Sequence, residues 1–109
     1  MDNHLDHFFA ALSDPTRRTV IERLVSGPTS VSELYSDTEM ALPSFMKHLT
    51  KLENAGLIRS EKIGRTRMVA LETAPMQQAE AWLTRQRQMW EGRLDRLQAL
   101  AETIERKKT

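Results

Sequence analysis

Residues 42–58, LPSFMKHLTKLENAGLI, carry an apolar row and a polar row at the spacing of a single α-helix. The apolar row consists of Leu42, Phe45, Leu49 and Leu52. The polar row consists of Ser44, Lys47, His48 and Lys51. An amphipathic helix packs its apolar face on a core, and its exposed face usually mixes both charge signs, whereas this polar row contains no acid. The pattern therefore predicts a packed helix that presents a basic face to solvent or to a partner.

Signals for helix ends place two more helices before this one. Asp14 is a good N-cap and Pro15 suits the first helical position, so we predict a helix over residues 15–26, which Gly27 then stops. Residues 30–33, SVSE, fit a capping box in which the first serine caps a short helix and the glutamate reaches back. The segment YSDTEMA is then a turn that leads to the basic helix.

A hairpin follows the basic helix. The segments LIRSEKI and RMVAL are short and rich in apolar residues, and Gly64-Arg65-Thr66 between them suits a hairpin loop. The order helix, helix, short helix, turn, helix, hairpin, long helix is that of a winged helix-turn-helix, a mainly α fold with a small β-hairpin. We predict one domain over residues 1–109, with the helix-turn-helix at 30–55 and the β-wing at 57–71.

The last third of the chain has the pattern of one long helix without an internal proline, over residues 75–107. Apolar residues recur there every seven positions, at Met76, Leu83, Trp90, Leu97 and Ile104. Such a helix would extend ~45 Å, too far for so small a domain to cover. We therefore predict a dimer in which residues 1–13 and 75–107 are the dimerisation helices. The predicted interface residues are Leu5, Phe8, Phe9, Trp82, Leu83, Trp90, Leu94 and Leu97. A ligand-binding aromatic pair is the other interpretation of Trp82 and Trp90.

Charge is unevenly distributed along the chain, although the net charge is only +1. Residues 29–40 carry a net charge of −3, whereas residues 41–71 carry six basic and two acidic residues, a net charge of +4. Localised positive charge is typical of nucleic-acid-binding proteins, although a solvated basic face has the same composition. In a helix-turn-helix, the second helix offers its outer face to the DNA major groove. The predicted DNA-contacting residues are Pro43, Ser44, Lys47, His48, Lys51, Lys62, Arg65 and Arg67. Arg17 is a further candidate for the DNA backbone, and Arg18 for an ion pair with an acid.

The start of the basic helix is a second indication of an anionic partner. Ala41 has no capping side chain and Pro43 has no N–H, so we expect the amides of Ser44 and Phe45 to lack protein partners. Such amides bind phosphate well, and water is the alternative partner. At the tip of the hairpin, Arg65 can enter an adjacent minor groove or contact its backbone.

The composition disfavours several classes of protein. The chain has no cysteine, which removes disulfides, thiolate zinc sites and cysteine nucleophiles. No set of nucleophile, base and oxyanion donor is recognisable, so we expect neither an enzyme nor a cofactor. His4 and His7 could supply half of a metal site, but nothing nearby completes it. No apolar run approaches the ~18 residues of a membrane span, and the start, MDNHLDHFF, has no secretory pattern. A cytoplasmic protein with no membrane partner is the expectation.

Three stretches of the chain resemble a known family. They are ALSDPTRRTVIERL, SVSELYSDTEMALPSFMKHLTKLENAGLIRSEKIGRTRMVALE and the tryptophan-containing last helix. Over residues 8–100 the chain resembles the ArsR family of bacterial winged-helix transcriptional regulators. The resemblance implies a homodimer whose first and last helices form the interface, and a regulator that represses transcription. Some members release DNA on binding metal, through a cysteine pair that would lie near residues 33–35 or through His and Asp residues of the last helix. This chain has no cysteine, and its residues 75–109 contain no histidine, so it resembles a branch without the usual metal sites.

The leading hypothesis is a homodimeric, sequence-specific regulator of double-stranded DNA that acts as a repressor at a palindromic operator. The alternative is a winged-helix interaction module whose basic face meets an acidic protein. A metal or redox sensor is a third interpretation, disfavoured by the missing cysteine. Glu39, Ala41 and Met46 stand where the family often has Gly, Ser and Ser, so its base contacts do not carry over directly. The identity of any small-molecule effector stays open.

Overall fold

The computed structural model describes residues 3–108. The elements in chain order are α1 (Asn3–Ala11), α2 (Pro15–Leu24), β1 (Thr29–Ser30), α3 (Val31–Ser36), α4 (Leu42–Asn54), β2 (Ile58–Ile63), β3 (Thr66–Leu71) and α5 (Ala74–Lys108). Two compact units make up the chain, one up to residue 78 and a helical one from residue 79. The predicted fold class is confirmed, because the protein is mainly helical, with α3 and α4 as the helix-turn-helix and β2–β3 as the wing. No helix within residues 3–108 combines the length and hydropathy needed to cross a lipid bilayer.

The sheet has three antiparallel strands, in the order β1-β3-β2, where the sequence predicted a two-stranded hairpin. Thr29 and Ser30 form β1 and pair with Val69 and Met68 of β3. Two residues are too few to show an alternating pattern, so only the pairing partner defines this strand. The additional strand joins the segment before α3 to the wing.

Side-chain caps begin α2 and α3 where the sequence predicted them. Asp14 accepts a hydrogen bond from the Arg17 amide at 3.1 Å. Ser30 accepts one from the Glu33 amide, also at 3.1 Å. Only this half of the predicted capping box forms, because the Glu33 carboxylate accepts a hydrogen bond from the Thr29 hydroxyl.

A Schellman motif ends α4 and turns the chain into β2. The Leu57 amide donates to the Leu52 carbonyl at 3.0 Å, and the Gly56 amide donates to the Glu53 carbonyl at 2.9 Å. Gly56 has a φ of +77°, which L side chains rarely adopt. Because Leu57 is completely buried directly after this turn, the motif fixes where the wing leaves the helix.

The core of the first unit lies between the apolar faces of α2 and α4, α3 and the sheet. Its buried residues include Val20, Ile21, Leu24, Leu34, Phe45, Leu49, Leu52, Leu57, Ile58 and Val69. Of the four residues in the predicted apolar row of α4, three are buried, but Leu42 is 47% exposed. Leu42 is the first residue of the helix, one turn before the part that packs on the core. The packed row therefore begins at Phe45.

Replacing Gly56 with alanine should lower the free energy of unfolding by about 1–2 kcal/mol, because alanine strains the left-handed conformation. An added Cβ would meet only Pro75 Cγ at 3.6 Å, an ordinary contact, so the cost is conformational. Gly92→Ala within α5 is the matched control, and it should raise stability by about 0.5–1 kcal/mol. Urea unfolding at one fixed protein concentration measures both. Equal effects of the two substitutions would contradict the assignment of strain to Gly56.

Candidate nucleic-acid interface

The outer face of α4 is fixed by the side chains that the helix buries. Phe45 and Leu52 have no exposed surface, and Leu49 is nearly as buried. At 100° per residue, the predicted polar row then lies on the side away from the core. Of the eight residues predicted to contact DNA, seven are exposed: Pro43, Ser44, Lys47, Lys51, Lys62, Arg65 and Arg67. The eighth, His48, is half-buried.

At the start of α4 one predicted orphan amide has a partner. Ala41 occupies the N-cap position and makes no side-chain hydrogen bond, as predicted. The Phe45 amide donates to the Ala41 carbonyl at 3.1 Å, so the prediction that it lacks a partner was wrong. This is the ordinary i to i−4 helical bond, which an N-cap carbonyl can accept even though its side chain cannot. The prediction of an orphan amide stays for Ser44 alone.

The tip of the wing presents a cation on a tight turn. Ile63 pairs with Thr66, so the loop contains only Gly64 and Arg65, and Thr66 belongs to β3 instead of the loop. Gly64 has a φ of +65°, as the first residue of a type II′ hairpin turn requires. The turn leaves Arg65 exposed at the far end of the hairpin.

The cations of the wing fall into two groups according to their partners. Arg59 forms a salt bridge with Glu72 at 3.0 Å. Arg67 donates to the Ser60 hydroxyl at 3.1 Å, and this hydroxyl donates to the Glu53 carboxylate at 3.0 Å. Lys62 and Arg65 form no salt bridge within residues 3–108. The wing therefore has two cations without a salt-bridge partner in the described part of the chain, Lys62 and Arg65. The side chain of Arg67 is held by Ser60 of β2, which is itself bonded to Glu53 of α4.

Arg17 does not lie on the surface, where the sequence analysis placed it. Its guanidinium is buried and donates to the carbonyls of Ala10 at 3.2 Å and Ala11 at 2.6 Å. The prediction that Arg17 contacts the DNA backbone was therefore wrong. Arg17 shares the apolar row of α2 with Val20, Ile21 and Leu24, and this spacing was the sequence signal of its burial.

Arg18 also has a different partner from the predicted one. Its guanidinium donates to the Leu12 carbonyl at 2.8 Å and not to an acid. The last carbonyls of a helix have no intrahelical partners, which is why both arginines turn toward the end of α1.

His48 lies against the beginning of α2. Its Nδ1 is 3.0 Å from Arg17 Nη1 and 3.7 Å from the Asp14 carboxylate. Burial acts to raise the pKa of Asp14, but the hydrogen bond from the Arg17 amide and the nearby His48 ring outweigh it, and the pKa is lowered overall. The carboxylate thus stays charged beside the ring.

The residues predicted to form the dimer interface differ in how much of their surface is exposed. Phe8 is only 6% exposed and contacts the Phe9 ring edge to face, with the ring centres 5.3 Å apart. Phe8 is thus a core side chain, with little surface left for a partner. Leu5 and Trp82 are half-buried. The exposed members are Phe9, Leu83, Trp90, Leu94 and Leu97, and α5 adds Met89, Leu100 and Ile104.

Two other parts of the surface carry ionisable side chains. A cleft of about 280 Å³ lies among α2, α3 and the turn before α4, and Arg23 in its lining pairs with Asp37 and lies 3.7 Å from Glu33. His4 and His7 are exposed on α1. Within the described part of the chain, no three His, Cys, Asp or Glu side chains are grouped as a metal site would require.

Known proteins share both the sequence pattern and the fold of this chain. A family of helix-turn-helix domains matches residues 12–61. The crystal structure of an ArsR family transcriptional regulator, RHA00566, is similar with a TM-score of 0.80 and 50% identity, over 84% of this chain and 94% of that one. The chain belongs to the ArsR family. An ArsR-like regulator from Rhodococcus sp. RHA1 has a TM-score of 0.82 and 30% identity to this ArsR-family protein, over 94% of each chain.

Relatives of this ArsR-family protein among curated sequences are also regulators. The regulator Rv2034 of Mycobacterium tuberculosis is 37% identical over 67 residues, which are 62% of this chain and only 63% of Rv2034. The transcriptional repressor SdpR of Bacillus subtilis is 28% identical over 79 residues, 72% of this chain and 88% of SdpR. The family and these relatives are transcriptional regulators and not enzymes, in agreement with the prediction.

Truncating a buried and an exposed apolar side chain of α4 should have very different effects on the free energy of unfolding. Phe45→Ala removes a completely buried ring and should lower the free energy of unfolding by about 3–5 kcal/mol. Leu42→Ala, at a half-exposed position of the same helix, should change it by less than about 1 kcal/mol. Urea unfolding followed by circular dichroism measures both. A larger loss for Leu42→Ala would show that the helix is rotated from the described orientation.

Proposed function

We propose that this ArsR-family protein binds double-stranded DNA as a homodimer, through the outer face of α4 and the β2–β3 hairpin. One observation carries the proposal. The helix that buries Phe45 and Leu52 exposes Lys47 and Lys51 on its opposite side, and Ser44 beside them, with no acid on that face. A phosphate backbone is attracted by such a face, and each acid there would repel it.

The exposed residues have different roles in this proposal. Ser44 and Lys47 lie in the first half of α4, which in a helix-turn-helix reaches the base edges of the major groove. Lys51 lies one turn further on and contacts phosphate. Lys62 and Arg65 of the wing contact the backbone beside the adjacent minor groove. Pro43 packs at the entry of α4, and Arg67 reaches phosphate while Ser60 orients it.

Self-association follows from the apolar surface of α5. From Leu83 to Ile104 the helix exposes seven large apolar side chains, including Trp90. A surface of this kind usually marks an interface. Two protomers related by a two-fold axis would place two α4 helices in successive major grooves, ~34 Å apart, so the operator is an imperfect palindrome. Repression, by occupancy of an operator that overlaps a promoter, is in keeping with the relative named as a repressor.

The salt dependence of binding tests the DNA face. If three cations of each protomer reach phosphate, counterion release gives a log–log slope near −5, and about a thousandfold loss of affinity between 50 and 200 mM salt. Arg65→Ala should weaken binding to all sequences and flatten the slope by about two units, one for each protomer. Lys47→Ala should in addition change which base is preferred.

Arg59→Ala is the matched control, because this wing arginine is occupied by Glu72 and should leave the slope unchanged. Fluorescence anisotropy with the DNA upstream of the protein's own gene gives the affinities. If Arg65→Ala and Lys47→Ala both bind like the wild type, the basic face meets another partner. An acidic protein would then be the leading candidate.

The dimer is tested by placing a charge in the exposed apolar row. Trp90→Asp should give a monomer at micromolar concentrations at which the wild type is a dimer, because the interface would have to bury an unpaired carboxylate. Gln88→Asp introduces the same charge at an exposed position about 160° around the helix, and should leave the dimer intact. Sedimentation equilibrium reports the mass, and circular dichroism shows whether α5 is still folded. A wild-type monomer under these conditions would refute the dimer.

A further inference from the structure

The buried guanidinium of Arg17 connects the end of α1 to α4. Two of its nitrogens donate to Ala10 and Ala11, whose carbonyls belong to the last turn of α1. Its third nitrogen, Nη1, lies 3.0 Å from Nδ1 of His48 on α4. Arg17 is 7% exposed, and each of its three guanidinium nitrogens has a partner. A buried cation with every nitrogen engaged is held in one position.

The contact with Arg17 determines which nitrogen of the His48 ring carries a proton. Arginine has only donors and does not lose its proton in proteins. At 3.0 Å, Nδ1 of His48 must therefore be the acceptor. The neutral ring then carries its proton on Nε2. The Asp14 carboxylate, at 3.7 Å from Nδ1, is beyond hydrogen-bond distance and does not compete for this nitrogen.

The other ring nitrogen is the one left for a partner. His48 belongs to the polar row of α4, with Lys47 and Lys51 exposed beside it, and its side chain keeps 21% of its surface exposed. With Nδ1 occupied by Arg17, only Nε2–H is available as a donor. A donor at the edge of a basic face is suited to a phosphate oxygen.

We propose that Arg17 is a positioning residue for DNA binding: it fixes the His48 ring so that Nε2–H is directed to a backbone phosphate. The phosphate contact rests on the proposed function, whereas the hydrogen bond and the tautomer do not. The same guanidinium also makes the position of this donor depend on the end of α1, which is a predicted dimerisation helix.

Isosteric replacements of His48 separate its two nitrogens. In glutamine the amide nitrogen takes the place of Nε2, and in asparagine the amide takes the place of Nδ1. His48→Gln keeps the donor but loses the acceptor of Arg17, and His48→Asn keeps an acceptor for Arg17 but has no donor at Nε2. Each should therefore lose DNA affinity roughly tenfold, the effect of one hydrogen bond to a charged acceptor. Wild-type affinity of His48→Gln would show that the Arg17 contact is not needed, and wild-type affinity of His48→Asn would show that Nε2–H is not needed; either result would overturn the proposal.

A double-mutant cycle shows whether Arg17 acts through His48. Arg17→Lys keeps the charge, but its single nitrogen cannot reach the positions that Nε, Nη1 and Nη2 reach, and it should weaken DNA binding roughly tenfold in the wild-type background. In a His48→Ala background the same substitution should have almost no effect. Arg18→Lys is the control, because this neighbouring arginine donates to Leu12 and is not in contact with His48. An equal loss from Arg17→Lys in both backgrounds would mean that Arg17 does not act through His48, and would overturn the proposal.

The tautomer can be measured without DNA. Nitrogen NMR of the histidine-labelled wild type, at a pH above the measured titration of the His48 ring, should show Nε2 protonated and Nδ1 unprotonated. Protonated Nδ1 would overturn the Arg17 contact even if the protein binds DNA. If this tautomer is found but the wild type binds no duplex, the proposed function fails and the phosphate role of His48 fails with it. Should Arg17→Lys not fold, the affinities of His48→Gln and His48→Asn relative to the wild type still decide.

Discussion

The complete burial of Phe45 and Leu52 is the constraint on which the rest of the first unit depends. Because successive residues of a helix are 100° apart, these two side chains allow only one rotation of α4. That rotation brings Lys47 and Lys51 to the outside and excludes them from the core. The Schellman motif at Gly56 then starts the wing at the end of the same helix. The positions of both basic elements of the proposed interface, α4 and the wing, therefore depend on how α4 packs.

A second set of contacts fixes the beginning of α2 against α4. Arg17 is buried on the apolar side of α2, where a cation is tolerated only if its donors are engaged. The carbonyls at the end of α1 and the His48 ring engage them, and Asp14, the N-cap of α2, keeps a carboxylate nearby. One polar cluster therefore joins three helices, at the edge of the face proposed to meet DNA.

Local signals in the sequence were sufficient for the helices, their caps and the hairpin. The N-cap at Asp14 and the glycine at Gly56 after α4 form hydrogen bonds only with residues a few positions away, so both could be predicted from the local sequence. Strand β1 was missed because two residues acquire a strand geometry only through β3. Arg17 was misplaced because its charge was given more weight than its place in the apolar row of α2. Its partners on α1 and α4 leave no pattern in the local sequence. Leu42 was predicted to be buried because it belongs to the apolar row of α4. It is exposed because the core does not extend to the first turn of this helix.

The central claim is that the outer face of α4 and the tip of the wing meet DNA. An NMR titration of the wild-type protein with the duplex from upstream of its own gene tests it most directly, because each backbone amide reports separately. The account predicts the largest shifts at Ser44, Lys47, Lys51 and the Gly64–Arg65 turn, and little change around the cleft that contains Arg23. Large shifts at that cleft with an unaffected α4 would contradict the account.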